Sequence, residues 1–398
     1  MSGTAGKALY RKAEPMAGIT LERKAFQDVL SLLGKIVSRK STIPILSHVR
    51  INVNGETSLA ATDMEMSAEF RFPAAGGGDK FTLGLPHAQL AAHVRTSKVP
   101  TVTLSPEGEF KARVNGAAVV QGADPVDFPT FQQPEGDVVA ELDCADVARG
   151  IEAVKWAVSR EVTRYSLTGI LLEAKKGDIH FVASDGKRLA AFNVPNRIKG
   201  PGARIIIPTK AAETLQAICR KRPGTVKVQL PENKTEKGKV EDPVCAFFVG
   251  DGWTFRTRLI DGNFPDWEAV MPYGFTEKGG APSWTLPRTA LKEALEAVLP
   301  CAPDKNGLAV RFTFLRGTLN LFTRTADVGE AAAEVLGITG QDELVIGLSA
   351  PYVLDYLQSL PKGTEEVRFT AKDKTTCTLW TAEGGAKYAL MPYNAANL

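Results

Sequence analysis

Apolar residues fall on one helical stripe at Phe26, Val29, Leu30, Leu33 and Ile36, while Lys24, Gln27, Ser31 and Lys35 take the other side. Steps of three and four predict an amphipathic helix. It runs toward Arg39, Lys40 and Ser41 and stops before Pro44, which forces extended backbone on the residue ahead of it. The stretch ITLERKAFQDVL, Ile19 to Leu30, thus reads as a short alternating strand that turns into a helix. The same figure appears as AELDCADVARGIEAV from Ala140 to Val154, predicting a helix over 144–158, and as WTLPRTALKEALEAV from Trp284 to Val298. Three copies imply three repeated units.

Aligning the copies on Leu21, Leu142 and Leu286 tests the repeat, because other landmarks should recur at fixed offsets. A second apolar-plus-helix segment starts at Leu85, Ile207 and Leu348, which is 64, 65 and 62 residues further on. A strand ends on Thr62 and Asp63 in the first copy and on Ser184 and Asp185 in the second; the third reads Thr325, Ala326, Asp327. Each copy closes on an aromatic or Met followed by Pro: Phe128 and Pro129, Phe264 and Pro265, Met391 and Pro392. The middle copy is longer, and the polar run from Glu232 to Pro243 reads as a solvated hairpin insertion that accounts for the surplus.

Between the helical stretches lie short alternating, β-branched runs such as IPILSHVRINV, SLTGILLEA, IHFVASD and VRFTFL. The fold class expected is α+β: three tandem units of two helices and about eight strands each, at 18–136, 137–279 and 280–398, behind a flexible extension at 1–17. A chain of 398 residues suits that count. Such a unit must cover a sheet face with its helices or with a second sheet.

Composition narrows the chemistry. With 44% hydrophobic and 23% charged residues the chain is of soluble globular type, and a net charge of +3 neither demands nor excludes a nucleic-acid partner. Five cysteines, at 144, 219, 245, 301 and 377, lie far apart without a CxxC pair, which argues for reduced thiols rather than a zinc site or disulfide framework. No cofactor is expected. The charged first 17 residues form neither a signal peptide nor a membrane span. AAGGGD, at 74–79, lacks the Gly-Lys-Ser/Thr ending of a phosphate loop and reads as a hairpin turn.

Catalysis finds little support. Asp63 and Asp185 occupy related positions of the repeat, which points to a structural role at a strand end. His48, His87, His93 and His180 lack metal spacing, and GLSAP around Ser349 lacks the last Gly of a nucleophile elbow.

The segments STIPILSHVRINV with ATDMEM, TRYSLTGILLE with ASDGKRLA, RLIDGNFPDWEAVMP and the closing YALMPY resemble, in order and spacing, the bacterial sliding clamp family, the beta subunit of DNA polymerase III. The likeness covers Gly18 to Pro392. It implies a non-catalytic processivity factor: a head-to-tail homodimer whose six domains close into a ring around double-stranded DNA, and which tethers polymerase and clamp-loader subunits through short peptide motifs. A cytoplasmic, nucleoid-associated protein without a membrane partner is implied as well.

A protein that slides must hold the phosphate backbone without reading bases, and mobile Lys and Arg supply such a smooth, salt-sensitive attraction. Candidates on or beside the helices are Lys24, Arg39, Lys40, Arg95, Lys98, Arg149, Lys155, Arg164, Lys210, Arg220, Lys221 and Arg222. The third unit offers little beyond Arg288 and Lys292. Family DNA contacts fall on Lys40, Arg164 and Tyr165, whereas Ala88 and Thr209 stand where arginines are common. The family's peptide pocket falls on Leu167, Ser184, Gly186, Lys187, Arg188, Leu189, Pro265, Val270, Ser349, Tyr352, Thr375, Cys377, Leu390, Met391, Pro392 and Tyr393. Its apolar members suit a ligand's Leu or Phe, and Arg188 and Tyr352 suit its polar ends. Gly307, Ala269 and the tail YNAANL depart from the family pattern at the pocket; the departures at Ala88, Thr209 and the tail leave an accessory clamp open, and a β-rich interaction protein that does not encircle DNA is a second reading.

Overall fold

The computed structural model describes residues 18–38, 40–72, 79–175, 177–198, 202–234, 240–272, 274, 280–303, 307–340 and 342–394. The expected extension at 1–17, Arg39, the AAGGGD turn apart from Asp79, and the last four tail residues lie outside them. The chain divides into two compact units, 1–134 with 249–256, and 135–248 with 257–398.

In the first unit, helix α1 (Arg23–Leu33) buries Phe26, Val29, Leu30 and Leu33, and α2 (His87–Thr96) buries Leu90 and Val94. The apolar stripe outlasts α1: the chain turns at Gly34, and Ile36 stays buried because its N–H bonds back to the Leu33 carbonyl. The His87 ring reaches the Leu30 carbonyl at 2.8 Å and packs on Gly34, where a Cβ would stand 2.9 Å from the imidazole. A side chain at position 34 would therefore push the two helices apart. One antiparallel sheet runs in the order Ile19–Glu22, Thr101–Pro106, Lys111–Val114, Ala118–Gln121. Another carries Phe81–Pro86, His48–Asn54, Glu56–Thr62 and Met66–Phe72 as neighbours.

The second unit is built around an eight-stranded antiparallel sheet, ordered Ala203–Pro208, Gly169–Lys175, Asp178–Ser184, Arg188–Pro195, Lys387–Leu390, Thr378–Thr381, Glu366–Thr370, Ser283–Pro287. Its middle joins sequence-distant segments, with Arg188 opposite Leu390 and Ala191 opposite Lys387. A four-stranded sheet orders Gly329–Leu336, Thr318–Thr325, Ala309–Leu315 and Leu344–Ser349. The polar insertion pairs Asn233–Lys234 with Val240–Glu241.

Helices α3 (Cys144–Val154) and α4 (Thr209–Lys221) pack side by side. Gly150 sits mid-helix in α3 despite the backbone entropy this costs, because a Cβ there would lie 2.4 Å from the Phe181 ring. The helix is shorter than the expected 144–158. It ends at Val154 and tightens into a 3-10 turn, Lys155–Ala157, where the Trp156 indole donates to the Ala153 carbonyl and the Trp156 carbonyl accepts from Arg188. A single turn, α5 (Trp267–Val270), follows Asp266, whose carboxylate caps it through the Ala269 N–H. Helices α6 (Arg288–Val298) and α7 (Ala350–Ser359) complete the unit. Arg288 is used structurally: its guanidinium donates to the carbonyls of Leu357, Leu360, Pro361 and Thr364 at the end of α7.

The recurrent Thr/Ser-Asp landmark is one turn built twice. In the first unit the Thr62 hydroxyl donates to the Met66 carbonyl at 3.0 Å, and Asp63 Oδ1 accepts from the N–H groups of Glu65 and Met66. In the second, the Ser184 hydroxyl donates to the Arg188 carbonyl at 2.7 Å, and Asp185 Oδ1 accepts from Lys187 and Arg188. Both turns need a residue at positive φ, supplied by Met64 at 78° and Gly186 at 85°. Gly186 fits without strain, and its bare α-carbon admits Arg164, whose Nη1 lies 2.0 Å from where a Cβ would be. In the third copy the Thr325 hydroxyl donates instead to the Cys301 carbonyl.

Because each carboxylate accepts two backbone N–H groups, Asp63→Ala is expected to cost about 1 to 2 kcal/mol. Asp185→Ala, which also takes a partner from the buried Arg188 side chain, should cost about 3 kcal/mol or more. Chemical unfolding of the two variants checks this; equal losses would show that the Arg188 contact adds nothing.

Candidate functional site

Pairing of Arg188–Pro195 with Lys387–Leu390 sets the site's geometry. It aligns Leu189 with Ala389, and the Met391 N–H continues the ladder to the Lys187 carbonyl at 3.0 Å. The turn Ser184–Arg188 thereby meets the segment after Leu390 over a cavity of about 120 Å3. Leu167, Ser184, Gly186, Lys187, Arg188, Leu189, Pro265, Val270, Cys377 and Met391 line it, joined by Phe264, Trp267 and Ala389. Beneath lies a core of Leu171, Val182, Ile206, Ile260, Met271 and Leu379.

Arg188 organises one end. It is 8% exposed and donates through Nε to Asp185 Oδ2 at 3.0 Å, through Nη1 to Asp355 Oδ2 at 2.6 Å, and through Nη2 to the Trp156 carbonyl at 2.7 Å. The guanidinium also lies 4.2 Å from the Tyr352 ring centroid and 5.3 Å from that of Trp156. Burial opposes its charge, but hydrogen bonding to Asp355 and the field of Asp185 and Asp355 outweigh that and raise its pKa further. Burial, with the Asp185 carboxylate, pushes the Tyr352 phenol up to about 12, so the ring stays neutral against the cation.

The opposite wall is the segment from Phe264 to Val270, held from behind by a buried carboxylate. Glu173, on the neighbouring strand, accepts from the Trp267 indole at 2.9 Å and from Arg204 Nη1 at 3.0 Å. Arg204 Nη2 then donates to the carbonyls of Phe264 and Pro265 at 2.8 and 3.1 Å. Lys175 closes the arrangement on Glu268 at 2.6 Å. One acid thus fixes both the aromatic ring and the backbone of this wall.

The Cys377 thiol completes the apolar lining. Burial pushes it up to about 11, so at neutral pH it is an uncharged group and a poor nucleophile. Ser184 is committed to its turn and cannot serve as a nucleophile.

Six expected pocket residues stand outside the cavity lining. Tyr352 supports Arg188 from α7. Leu390 is fully buried and pairs with Arg188 in the sheet, and the Thr375 hydroxyl and N–H bond to Asp373 in a turn. Ser349 donates to the Gly307 carbonyl at 2.8 Å, and the Tyr393 N–H to Gly347 at 2.8 Å. Pro392 connects the cavity segment to that anchor. A Cβ at Gly307 would lie 2.4 Å from the Tyr393 hydroxyl, which explains why a small residue stands there. The three residues missed, Phe264, Trp267 and Ala389, come from motifs already visible in the sequence, the aromatic-Pro closure and the strand YALMP.

The basic candidates divide by what holds them. Lys24, Lys40, Arg95 and Lys98 are exposed. Arg149 pairs with Asp146 at 2.5 Å, and Lys155 and Arg220 share Glu152 at 2.8 Å each. Arg164 reaches the Asp185 carbonyl at 2.6 Å and Glu161 at 3.4 Å, beside the exposed ring of Tyr165. Lys210 and Lys221 are exposed at the two ends of α4, and Arg222 is half-buried just after it. Thr209 donates to the Thr168 carbonyl at 2.7 Å, and Ala88 is exposed on α2. Among the described residues no group of His, Cys, Asp or Glu could hold a metal ion, and no helix is long and apolar enough to cross a membrane.

Residues 17–132 match the N-terminal domain of the DNA polymerase III beta subunit, and residues 141–266 match its central domain. Across 380 residues the chain is 26% identical to the beta sliding clamp of Pseudomonas putida, covering 94% of this chain and 98% of that one. The beta sliding clamp of Escherichia coli is 27% identical over 389 residues, again 94% and 98% of the two chains. Among solved structures, the DNA polymerase III subunit beta from Pseudomonas aeruginosa has a TM-score of 0.82 at 25% identity over 94% of this chain and 99% of that chain. A Pseudomonas aeruginosa sliding clamp bound to griselimycin has a TM-score of 0.83 at 26% identity over 95% and 100%. With both domain models matched in order and relatives aligned over nearly their whole length, the chain belongs to the bacterial DNA polymerase III beta subunit family, the beta sliding clamps, which are non-catalytic processivity factors.

Proposed function

We propose that the chain acts as a head-to-tail homodimer of three-domain protomers, with domains at 18–136, 137–279 and 280–398, closed into a ring around duplex DNA. It tethers the polymerase and the clamp-loader subunits through short peptides seated in the Arg188 cavity, and works in the cytoplasm on the nucleoid. The observation that carries the ring is a pair of open sheet edges. Strand Ala118–Gln121 ends one four-stranded sheet and Gly329–Leu336 ends another, with Val119 46% and Leu336 64% exposed. Open edges invite pairing, and a contact between two different edges of two copies closes into a ring when the rotation allows it. Charge favours the match: Glu330 and Glu334 stand on one strand, and Lys111 stands beside the other.

Inside such a ring the grip is topological, and weak cation–phosphate contacts suffice. Lys24, Lys40, Arg95 and Lys98 supply attraction from the first domain, with Arg164 and Tyr165 from the second. Cations shared with acids, such as Lys155 and Arg220 on Glu152, contribute less. The pocket suits a peptide's Leu or Phe because its walls are Leu, Pro, Val, Met and aromatic side chains, preformed by the Glu173 and Arg188 networks. The griselimycin complex of the Pseudomonas aeruginosa clamp supports a ligand-binding role in such proteins.

Protein loaded on closed circular DNA should stay bound through gel filtration and leave within minutes of linearisation; equal loss from both forms would rule out enclosure. Native mass spectrometry should find two chains, and Glu330→Lys with Glu334→Lys, which sets cations against the basic strand of the proposed contact, should leave one. Val270→Glu places a charge in the apolar cavity at an exposed position, so peptide affinity by fluorescence polarisation should fall at least about tenfold with the fold intact. An unchanged affinity would move the peptide site elsewhere.

A further inference from the structure

The first unit repeats the frame of the second unit's cavity with different contents. In the second unit Leu171 lies opposite Val182, and Val182 opposite Ala191, so the three make one apolar rung across the sheet. The same rung in the first unit is Arg50 opposite Ala60, and Ala60 opposite Glu69. Two residues before Glu69 stands Ser67, on the same face by the period of the strand, where the second unit has Leu189 two residues before Ala191. Phe131 and Trp267 also correspond, each three residues after the Phe of the aromatic-Pro closure. An apolar floor has become a polar one beside an aromatic ring.

Two cations of this floor are unbalanced. The Arg50 guanidinium lies 5.6 Å from the Phe131 ring centroid and, among the described residues, makes no hydrogen bond or ion pair. Arg256, on the strand beside Met66–Phe72, lines a cleft with Ser67, Glu69, Phe131 and Thr254, and its Nε is shut off from water without a hydrogen-bond partner. A buried donor left unpaired costs the fold stability, and an incoming acceptor removes that cost. Glu69 is the one acid among the lining residues, and it already faces Arg71 at 3.7 Å. The cleft measures about 10 Å3, room for a water or a carboxylate oxygen and too little for an apolar side chain or a base. Phe131 is held in place by stacking on Phe128, with centroids 6.4 Å apart, and Gln132 and Gln133 are exposed at the rim.

We propose that the first unit carries a second docking site, at the repeat position of the apolar cavity, and that it takes an acidic segment of a partner protein. One carboxylate of that segment enters the cleft to meet Arg256, and a neighbouring acid meets Arg50 where it lies on the Phe131 ring. The amides of Gln132 and Gln133 hydrogen-bond the segment's backbone at the rim. Charge complementarity and the size of the cleft select this occupant: two guanidinium groups without partners call for anions, and the space admits an oxygen atom and excludes a ring. The proposal does not depend on what the cavity of the second unit binds.

The test uses the full-length protein and three fluorescein-labelled probes read by polarisation: an amidated peptide alternating Glu with Gly or Ser, its Gln counterpart, and an oligothymidylate of similar length. Wild type should bind the Glu peptide about tenfold more tightly than the Gln peptide, as charge-assisted hydrogen bonds to a half-buried guanidinium provide. Arg256→Gln should remove most of this preference and Arg50→Gln part of it, whereas Lys35→Gln, which deletes an exposed cation elsewhere in the unit, should leave it unchanged. An excess of unlabelled hexapeptide carrying Leu and Phe should not displace the Glu peptide. Thermal unfolding of Arg256→Gln should match or exceed wild type, because a donor without a partner is lost; a lowered midpoint makes the arginine structural and overturns the proposal. Equal affinity for the two peptides, a preference that survives Arg256→Gln, displacement by the apolar hexapeptide, or an Arg256-dependent affinity confined to the oligonucleotide overturns it as well.

Discussion

A buried guanidinium holds the second unit's site together. Taking Arg188 out of water is costly, and the cost is met only where every direction of the planar fork finds a partner. Those partners lie far apart in sequence: a turn carboxylate three residues back, a carbonyl at the end of α3, a carboxylate and an aromatic face on α7. Satisfying one cation thus fixes the end of α3, the Ser184–Arg188 turn and the face of α7 together.

Much of this was legible before any coordinates. Copies that share a strand, a helix and a Thr/Ser-Asp landmark had to share local geometry, and the two turns agree bond for bond. The structural role assigned to Asp63 and Asp185 followed because a residue recurring at a repeat position serves what the repeats have in common. Other features depend on pairing between distant segments, which periodicity does not encode. Trp267 looks like one more aromatic in a Pro-rich loop until Glu173 is found behind it. Arg288 counts as a helix-face cation until the carbonyls at the end of α7 surround it. Of the residues that the family likeness assigns to the pocket, ten line the cavity, while Tyr352 packs on the Arg188 guanidinium and Ser349 donates to the Gly307 carbonyl.

The same distinction applies to the charges. A count of Lys and Arg near helices treats all as equivalent, yet carboxylates within one helix turn or on the facing helix neutralise several of them. Lys24, Lys40, Arg95 and Lys98 in the first unit are exposed, as are Lys210 and Lys221 at the ends of α4, so the cations open to solvent are spread over both units. A protein that must translate along its partner gains from such dilution, since no single position forms a deep electrostatic well.

The bracing of Phe264 and Pro265 by Arg204, and of Trp267 by Glu173, has a kinetic consequence. A wall already anchored in the empty protein has no ordering to undergo when something docks, and the entropic toll of association falls mainly on the incoming chain. Competing partners would then arrive at similar rates and be ranked by how long each stays. Turnover at this surface is in that case governed by escape, and a tightly held occupant would block its successors simply by lingering.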